Sequence, residues 1–303
     1  MLQTLNPPRE VPTDGPAIEA EMEYVCADSQ VNRRFVAPGK EFNTCRSENH
    51  RVTIRNGRPF RDQLTLDSVG FSLVDHTSAV RDFLDKDEVD RVYPAEVAEA
   101  VKAITGADKV FPSGWMVRTS GDEELLATSA GYKGGGGGIQ PPGIGAHVDL
   151  HWAKAPKMGP AAYRRLCPDG PGLKRWISGS FWRTCSEPPQ DWPLAVCDGT
   201  SLQDDEGVPN TMVVVDALPD RDIMYGPLAG EDEMMAASIF SYRPEHRWWF
   251  FPDMTRDEAL FFKFHDSDHS VAWRCPHAAF HDETAVGART RRSIEFRVIA
   301  FFE

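Results

Sequence analysis

The stretch Ile144-Gly145-Ala146-His147-Val148-Asp149-Leu150 determines how the rest of the chain is interpreted. It follows a segment rich in glycine and proline, and its apolar residues on either side of His147 and Asp149 predict a short β-strand. Because side chains alternate along a strand, His147 and Asp149 point to the same face. An imidazole and a carboxylate on one face supply two ligands of a 2-His-1-carboxylate site, which holds iron(II) and leaves other coordination positions open.

The His-x-Asp pattern has little weight by itself. Nine histidines and 46 acidic residues in 303 positions give roughly 1.4 His-x-Asp/Glu matches by chance. The chain has two, His147-Val148-Asp149 and His281-Asp282-Glu283. The second match cannot acquire a downstream histidine ligand, because no histidine follows His281. For the first match, a surface pair on an edge strand remains the competing interpretation until a third ligand is found.

The segment Trp273–Phe280 supplies the best third ligand. His277 lies there among apolar residues on a predicted strand, 130 positions after His147 and 14 before Arg291. A 2-oxoacid co-substrate chelates iron through its carboxylate and keto oxygen, and its far carboxylate needs a buried cation. Arginine suits that role because its planar guanidinium binds a carboxylate through two donors and stays charged. The rival ligands, which lack this combination of context and spacing, are His151, His265 and His269.

The last strand predicted in the chain, residues 292–302, carries the anchor for such a co-substrate. Arg291, Ser293, Glu295 and Arg297 alternate onto one face. Arg291 and Ser293 lie about 7 Å apart along the strand, so both can donate to one carboxylate. Arg297 is the less certain anchor, and it lies roughly 20 Å from Arg291 in strand rise. The competing interpretation is a strand whose polar face simply meets solvent.

Composition limits the classes of function. The net charge of −13 argues against binding nucleic acid or an anionic membrane surface, because both require clustered Lys and Arg. No apolar run is long enough to span a bilayer, and Met1–Pro12 lacks the features of a secretory signal. We therefore expect a cytoplasmic protein with a small-molecule substrate and six reduced cysteines. The sequence does not predict the oligomeric state.

The pattern of elements predicts a mainly β, α+β protein with flanking helices. Residues 1–20 are expected to form an extended arm, and residues 21–303 a single domain. Helical support is expected at about 78–106, with Pro94 in the first turn of a helix, and a sandwich or barrel core at about 107–303. Asn56-Gly57 suggests a hairpin turn. The glycine run Gly134–Gly138 is either a lid over the site or a plain insertion.

Several motifs, taken in order, resemble the gibberellin desaturase-like family, which includes fungal and bacterial hydroxylases and desaturases of secondary metabolism and, among its relatives, a cephamycin hydroxylase component. The resemblance covers roughly residues 50–303. The motifs are Gln140-Pro141-Pro142, His147-x-Asp149, Phe181-Trp182-Arg183, Pro193–Asp198, His246–Met254, Asp257–Lys263, Asp266-Ser267, His277–Phe280 and Arg291–Arg297.

The resemblance implies a double-stranded β-helix (jelly-roll, cupin-like) core and an iron(II)/2-oxoglutarate-dependent dioxygenase. It implies His147, Asp149 and His277 as iron ligands, and Arg291 with Ser293 as the 2-oxoglutarate anchor. Oxygen and 2-oxoglutarate would then oxidise an unactivated C–H bond of a natural-product or amino-acid-like intermediate by hydroxylation, desaturation or ring closure, releasing succinate and CO2. The alternatives are a catalytically inactive jelly-roll binding module and a zinc hydrolase using the same ligands. Candidate substrate-pocket residues are Arg183, Trp248 and Trp273.

Overall fold

The computed structural model describes residues 15–37, 40–123, 126 and 138–303. The proposed Gly134–Gly138 lid lies outside the described residues, apart from Gly138, which begins a strand. Within the described part of the chain, no helix is both long and apolar enough to cross a membrane.

The strands, in chain order, are β1 Ala17–Val25, β2 Arg33–Ala37, β3 Lys40–Asn43, β4 Ser47–Asn56, β5 Phe71–Asp75, β6 Lys109–Thr119, β7 Gly138–Gln140, β8 His147–Val148, β9 Arg175–Thr184, β10 Leu194–Cys197, β11 Val208–Val214, β12 Ala236–Ile239, β13 Trp248–Phe250, β14 Glu258–Asp266, β15 His277–Ala279 and β16 Arg292–Phe302. The α-helices are α1 Lys86–Thr105, α2 Ala155–Leu166 and α3 Arg221–Tyr225.

These strands form two sheets. The larger has the order β1-β4-β13-β10-β15-β8-β12-β11-β2-β3, and the smaller has the order β5-β14-β9-β16-β6-β7. Most neighbours are antiparallel; β4 with β13, β2 with β11 and β6 with β7 are parallel. A shared apolar core includes residues of both sheets, such as Val196 and Trp248 of the larger and Trp182 and Leu260 of the smaller. This mainly β architecture confirms the predicted jelly-roll core.

The first third of the chain contributes more to the sheets than the sequence predicted. Strands β1 to β4 belong to the larger sheet and β5 to the smaller, so the sheets do not begin at residue 107. Ala17–Ala20, assigned to the extended arm, already pair with β4. Asn56-Gly57 does not form a hairpin: the Gly57 amide donates to the Phe250 carbonyl at 2.8 Å, continuing the contact between β4 and β13.

Helix α1 covers one face of the smaller sheet. Asp85 caps its N-terminus by accepting hydrogen bonds from the Asp87 and Glu88 amides, and Gly106 ends it with φ of 72°. Pro94 lies inside the helix rather than in its first turn, which corrects the predicted start. The buried residues Val89, Tyr93, Val97 and Val101 of α1 share a second apolar cluster with the smaller sheet.

The two faces of the smaller sheet therefore meet different surroundings. Phe181 of β9, with Ile294 and Phe296 of β16, joins the cluster beneath α1. Trp182, the next residue of β9, belongs instead to the core between the sheets. By the same alternation, Ser293, Glu295 and Arg297 face the larger sheet. This alternation determines which polar residues reach the interior.

Candidate metal and co-substrate site

Two adjacent strands bring the predicted metal ligands together. His147 begins β8 and His277 begins β15, and the two residues are direct partners in the sheet. Asp149 follows β8, with Oδ1 3.4 Å from Nε2 of His147. One ligand atom from each of His147, Asp149 and His277 lies within 4.8 Å of the others. The three side chains therefore converge on one point, as a 2-His-1-carboxylate site requires.

Backbone contacts favour the same ring nitrogen of both histidines for metal binding. Nδ1 of His147 lies 2.7 Å from the Gly145 carbonyl oxygen, and Nδ1 of His277 lies 3.3 Å from the Cys275 carbonyl oxygen. Each ring can donate from Nδ1 and keep Nε2 as an acceptor for a metal. A Cβ on Gly143 would lie 3.2 Å from the His147 ring, so the proline- and glycine-rich segment before β8 leaves room for this imidazole.

The ionisation states of Asp149 and His277 also fit a metal. Burial lowers the pKa of His277 to about 3, which keeps its imidazole neutral at physiological pH. Burial opposes ionisation of Asp149, but Arg297 and the two histidines outweigh it and hold its pKa well below the usual value. Neutral imidazoles and an ionised carboxylate are the forms that bind a divalent metal.

Arg291 and Ser293 have hydrogen-bonding capacity that the described residues do not use. Both side chains are buried, and Nη1 of Arg291 donates to the Trp192 carbonyl at 2.8 Å. Nε of Arg291 and Oγ of Ser293 have no hydrogen-bond partner. Burial, followed by repulsion from Arg118, lowers the pKa of Arg291 to about 9. A buried cation beside an unused hydroxyl fits the distal carboxylate of a 2-oxoacid.

Two further arginines surround the site, and both have carboxylate partners. Nη2 of Arg297 lies 2.7 Å from Oδ2 of Asp149, and Nη2 of Arg118 lies 3.2 Å from Oε1 of Glu295. The sequence predicted Arg297 only as an alternative anchor and did not predict Arg118. Alternation along β16 placed Arg297 on the correct face, but no local pattern linked β6 to this site.

The rival histidines lie elsewhere in the fold. His151 contacts the Ser238 hydroxyl through Nδ1, and His265 packs between Trp176 and Trp273. His269 stacks on Trp273 with ring centroids 4.3 Å apart, while His281 contacts Trp192. Among the described residues, the metal-ligand cluster contains none of these four.

The prediction that Arg183, Trp248 and Trp273 line the substrate pocket is wrong, because none of them lines the cavity at the metal site. Arg183 points to the α1 side of the smaller sheet, where it hydrogen-bonds Tyr93. Trp248 is buried in the core and donates to the Tyr24 hydroxyl. Trp273 stacks against the Arg274 guanidinium and donates to Asp204. Each side chain is therefore satisfied by structural contacts.

A cavity of about 740 Å³ opens over His147, Asp149 and Arg297. Its apolar lining includes Met116, Met212, Met235, Ile139 and Ile239, and its polar lining includes Arg34, Glu41, Asn43 and Asn210. A volume in this range accommodates an organic molecule of drug-like size. These four polar residues lie on β2, β3 and β11, which the sequence did not connect to the site.

A jelly-roll core in which two histidines and an aspartate converge, with His147 and Asp149 at the wall of a cavity and His277 buried behind them, is typical of the non-haem iron oxygenases. Residues 22–301 match a family model described as "Oxidoreductase/YMDC permease-like domain". The hydroxylase/desaturase CTB9 of Cercospora beticola is 32% identical over 84% of this chain and 78% of its own length. The Fe(II)/2-oxoglutarate-dependent dioxygenase nvfI of Aspergillus novofumigatus is 27% identical over 93% of this chain and 96% of its own.

A solved structure is similar to this chain over nearly its whole length. The iron and alpha-ketoglutarate-dependent endoperoxidase NvfI aligns over 94% of this chain and 98% of its own, with a TM-score of 0.74 and 25% identity. The chain belongs to this family of oxidoreductases, whose members include iron(II)- and 2-oxoglutarate-dependent hydroxylases, desaturases and endoperoxidases. It is a dioxygenase of that class.

Proposed function

We propose that His147, Asp149 and His277 hold iron(II), and that Arg291 and Ser293 bind the distal carboxylate of 2-oxoglutarate. The observation that carries the second assignment is the unused donor capacity of Arg291 Nε and Ser293 Oγ inside the core. A zinc hydrolase using the same three ligands would have no need of a buried cation at this position. A binding module without catalysis would not need the ionisation states that suit a metal.

When bound, iron supplies oxygen activation, so that 2-oxoglutarate, O2 and a C–H substrate give succinate, CO2 and the hydroxylated product. Loss of a second hydrogen atom instead of hydroxylation would give a desaturated or cyclised product, with the remaining oxygen atom and the two hydrogen atoms leaving as water. His147 and His277 act as neutral donors and Asp149 as the anionic donor. Arg291 and Ser293 fix one end of the co-substrate. The apolar cavity wall orients the substrate C–H bond and excludes water from it.

The cavity favours a medium-sized natural-product intermediate that is apolar over most of its surface. Met116, Met212 and Ile239 would contact its hydrocarbon part, since methionines adapt to irregular shapes. Arg34, paired with Glu41 at 2.5 Å, and Asn210, whose buried Oδ1 has no hydrogen-bond partner, would contact its oxygen substituents. The substrate therefore combines a C–H-rich body with a polar end.

The proposals on subfamily, localisation and partners rest on the sequence. We propose that, within the family, the chain is similar to the gibberellin desaturase-like and cephamycin hydroxylase component-like members, because the order of its motifs resembles theirs. We also propose a cytoplasmic protein with a single oxygenase domain that begins with β1 at about residue 17, and no role for nucleic acid or membrane lipid.

The direct test is succinate formation by purified protein with iron(II), ascorbate and 2-oxoglutarate, beside His147→Ala and His277→Ala. Slow turnover without added substrate in the wild type, abolished in both variants, would support the metal assignment. Equal succinate formation in a folded His277→Ala variant would remove His277 from the proposed site.

A further inference from the structure

The two oxygens of the Asp149 carboxylate have different partners, Arg297 and His147. Its Nη2 lies 2.7 Å from Oδ2, while Oδ1 lies 3.4 Å from Nε2 of His147. Oδ1 is therefore the carboxylate oxygen on the His147 side of the cluster in which ligand atoms of His147, Asp149 and His277 lie within 4.8 Å of one another. The other oxygen is held by a cation on a separate strand, so the carboxylate cannot rotate without breaking an ion pair.

Arg297 is in turn held by its own neighbours. Oε1 of Glu295 lies 3.7 Å from Nη2 of Arg297 and 3.2 Å from Nη2 of Arg118. Nη1 of Arg118 donates to the Pro141 carbonyl at 3.0 Å. Arg118, Glu295, Arg297 and Asp149 therefore form a row of alternating charge that ends at the proposed metal ligand. Both Glu295 and Arg297 lie on β16, which pairs with β6 and β9 along its length.

Carboxylate partners distinguish the role of Arg297, which lies on β16, from that of Arg291, which directly precedes β16. Arg297 already has two carboxylates within ion-pair distance, Asp149 and Glu295. Among the described residues, no carboxylate lies at that distance from the Arg291 guanidinium, whose Nη1 donates to the Trp192 carbonyl. A carboxylate of the co-substrate would therefore compensate Arg291, whereas at Arg297 it would displace Asp149 from a pair already made.

We propose that Arg297 is a positioning residue for Asp149: it holds Oδ2 so that the carboxylate presents Oδ1 alone to the metal. Neighbours that orient a metal ligand typically change metal affinity by about 10- to 100-fold when mutated. The proposal rests on the assignment of Asp149 as a ligand, and it goes beyond that assignment by giving Arg297 a role in metal binding rather than co-substrate binding.

The test separates metal affinity from co-substrate affinity. Mn(II) is titrated anaerobically into wild type, Arg297→Gln and Arg297→Lys by calorimetry, and 2-oxoglutarate is then titrated into each protein saturated with Mn(II). We expect Arg297→Gln to weaken Mn(II) binding about 10- to 100-fold, with 2-oxoglutarate affinity changed less than about threefold. Arg297→Lys, which keeps the charge but not the planar fork, should recover part of the Mn(II) affinity.

Arg292→Gln is the matched control, because Arg292 is an exposed arginine five residues away on the same strand and pairs with Asp122. It should leave both affinities unchanged. Unchanged Mn(II) affinity in a folded Arg297→Gln protein would overturn the proposal. A loss of 2-oxoglutarate affinity with normal Mn(II) binding would also overturn it, because Arg297 would then be the co-substrate anchor. Failure of the wild type to bind Mn(II) would instead overturn the proposed metal site itself.

Discussion

Arg183 and Arg291 are both fully buried on the smaller sheet, yet they differ in how their guanidinium groups are satisfied. Nε of Arg183 donates to the Tyr93 hydroxyl at 2.7 Å, Nη1 donates to the carbonyls of His76 and Arg256, and Nη2 contacts Nδ1 of His76. Three aromatic rings, those of Phe83, Tyr93 and Phe181, surround it. Arg291 has one carbonyl acceptor, from Trp192, and an Nε with none.

The difference shows that burial alone does not identify a functional arginine. A cation removed from water needs hydrogen bonds to compensate for lost hydration. At Arg183, the protein supplies them, and the residue ties α1 and two loops to the sheet. At Arg291, the described residues leave part of that requirement unmet, which is the arrangement expected where an anionic co-substrate completes the site. Matched substitutions should therefore have opposite consequences.

Arg183→Met should produce the largest effect, on stability. The variant keeps much of the volume but leaves the Tyr93 hydroxyl and the His76 and Arg256 carbonyls without their buried donor. We expect the free energy of unfolding to fall by about 4 kcal/mol, since each such buried group costs roughly 1–3 kcal/mol. Urea denaturation measures this change. In the protein that remains folded, affinity for 2-oxoglutarate should equal that of the wild type; a loss of affinity would place Arg183 in the site.

Arg291→Met should have a small effect on stability and a large effect on 2-oxoglutarate binding. It removes a buried cation that has no carboxylate partner among the described residues, so the free energy of unfolding should change by less than about 1 kcal/mol. Affinity for 2-oxoglutarate should fall about 100-fold, the equivalent of about 2.7 kcal/mol. Calorimetric titration of the Mn(II)-loaded protein measures the affinity. Normal co-substrate binding together with a large loss of stability would make Arg291 a structural residue like Arg183.

Ser293→Ala tests the smaller half of the proposed anchor. Its hydroxyl is buried and has no hydrogen-bond partner, so its removal should cost little stability. Loss of one hydrogen bond to a carboxylate should weaken 2-oxoglutarate binding about tenfold, or about 1.4 kcal/mol. Ser180→Ala, at another buried serine with no partner for its hydroxyl, is the matched control and should bind 2-oxoglutarate normally. Equal affinities in wild type and Ser293→Ala would remove Ser293 from the anchor.

Tyr93→Phe should give the smallest effect, and it tests how much one hydrogen bond of Arg183 contributes to stability. It removes the acceptor that Arg183 Nε uses while keeping the ring that packs beside Phe83 and Phe296. We expect a loss of about 1 kcal/mol in the free energy of unfolding, with normal 2-oxoglutarate affinity. A stability equal to that of the wild type would show that this hydrogen bond adds nothing to the other contacts of Arg183.

The sequence predicted which residues share a face better than it predicted where that face points. Alternation placed Arg291, Ser293, Glu295 and Arg297 together, and an apolar strand context with the right distance to Arg291 favoured His277 over its rivals. Alternation could not decide that Trp182 faces the interior and Arg183 faces α1. That choice depends on which side of the sheet the second sheet covers, and a sequence pattern confined to one strand does not contain it.

The rest of the site depends on pairing between distant segments. Arg34 reaches the cavity because β2 pairs in parallel with β11, where Met212 is its direct partner. Arg118 reaches it because β6 pairs with β16, where Ser293 is its direct partner. Neither pairing leaves a periodic signal in either segment. The same limitation explains why strand-like runs were predicted in the first third of the chain, at Met22–Cys26 and Arg51–Ile54, but not that this third forms five strands of the two sheets.

The most direct test of the account is an anaerobic titration of 2-oxoglutarate into iron(II)-loaded protein, followed by visible absorption. We predict that the wild type develops a metal-to-ligand charge-transfer band that saturates, and that Arg183→Met saturates at the same concentration. Arg291→Met should require about 100 times more 2-oxoglutarate, and His277→Ala should give no band. A wild-type protein that binds iron(II) but develops no band with 2-oxoglutarate would contradict the proposed site.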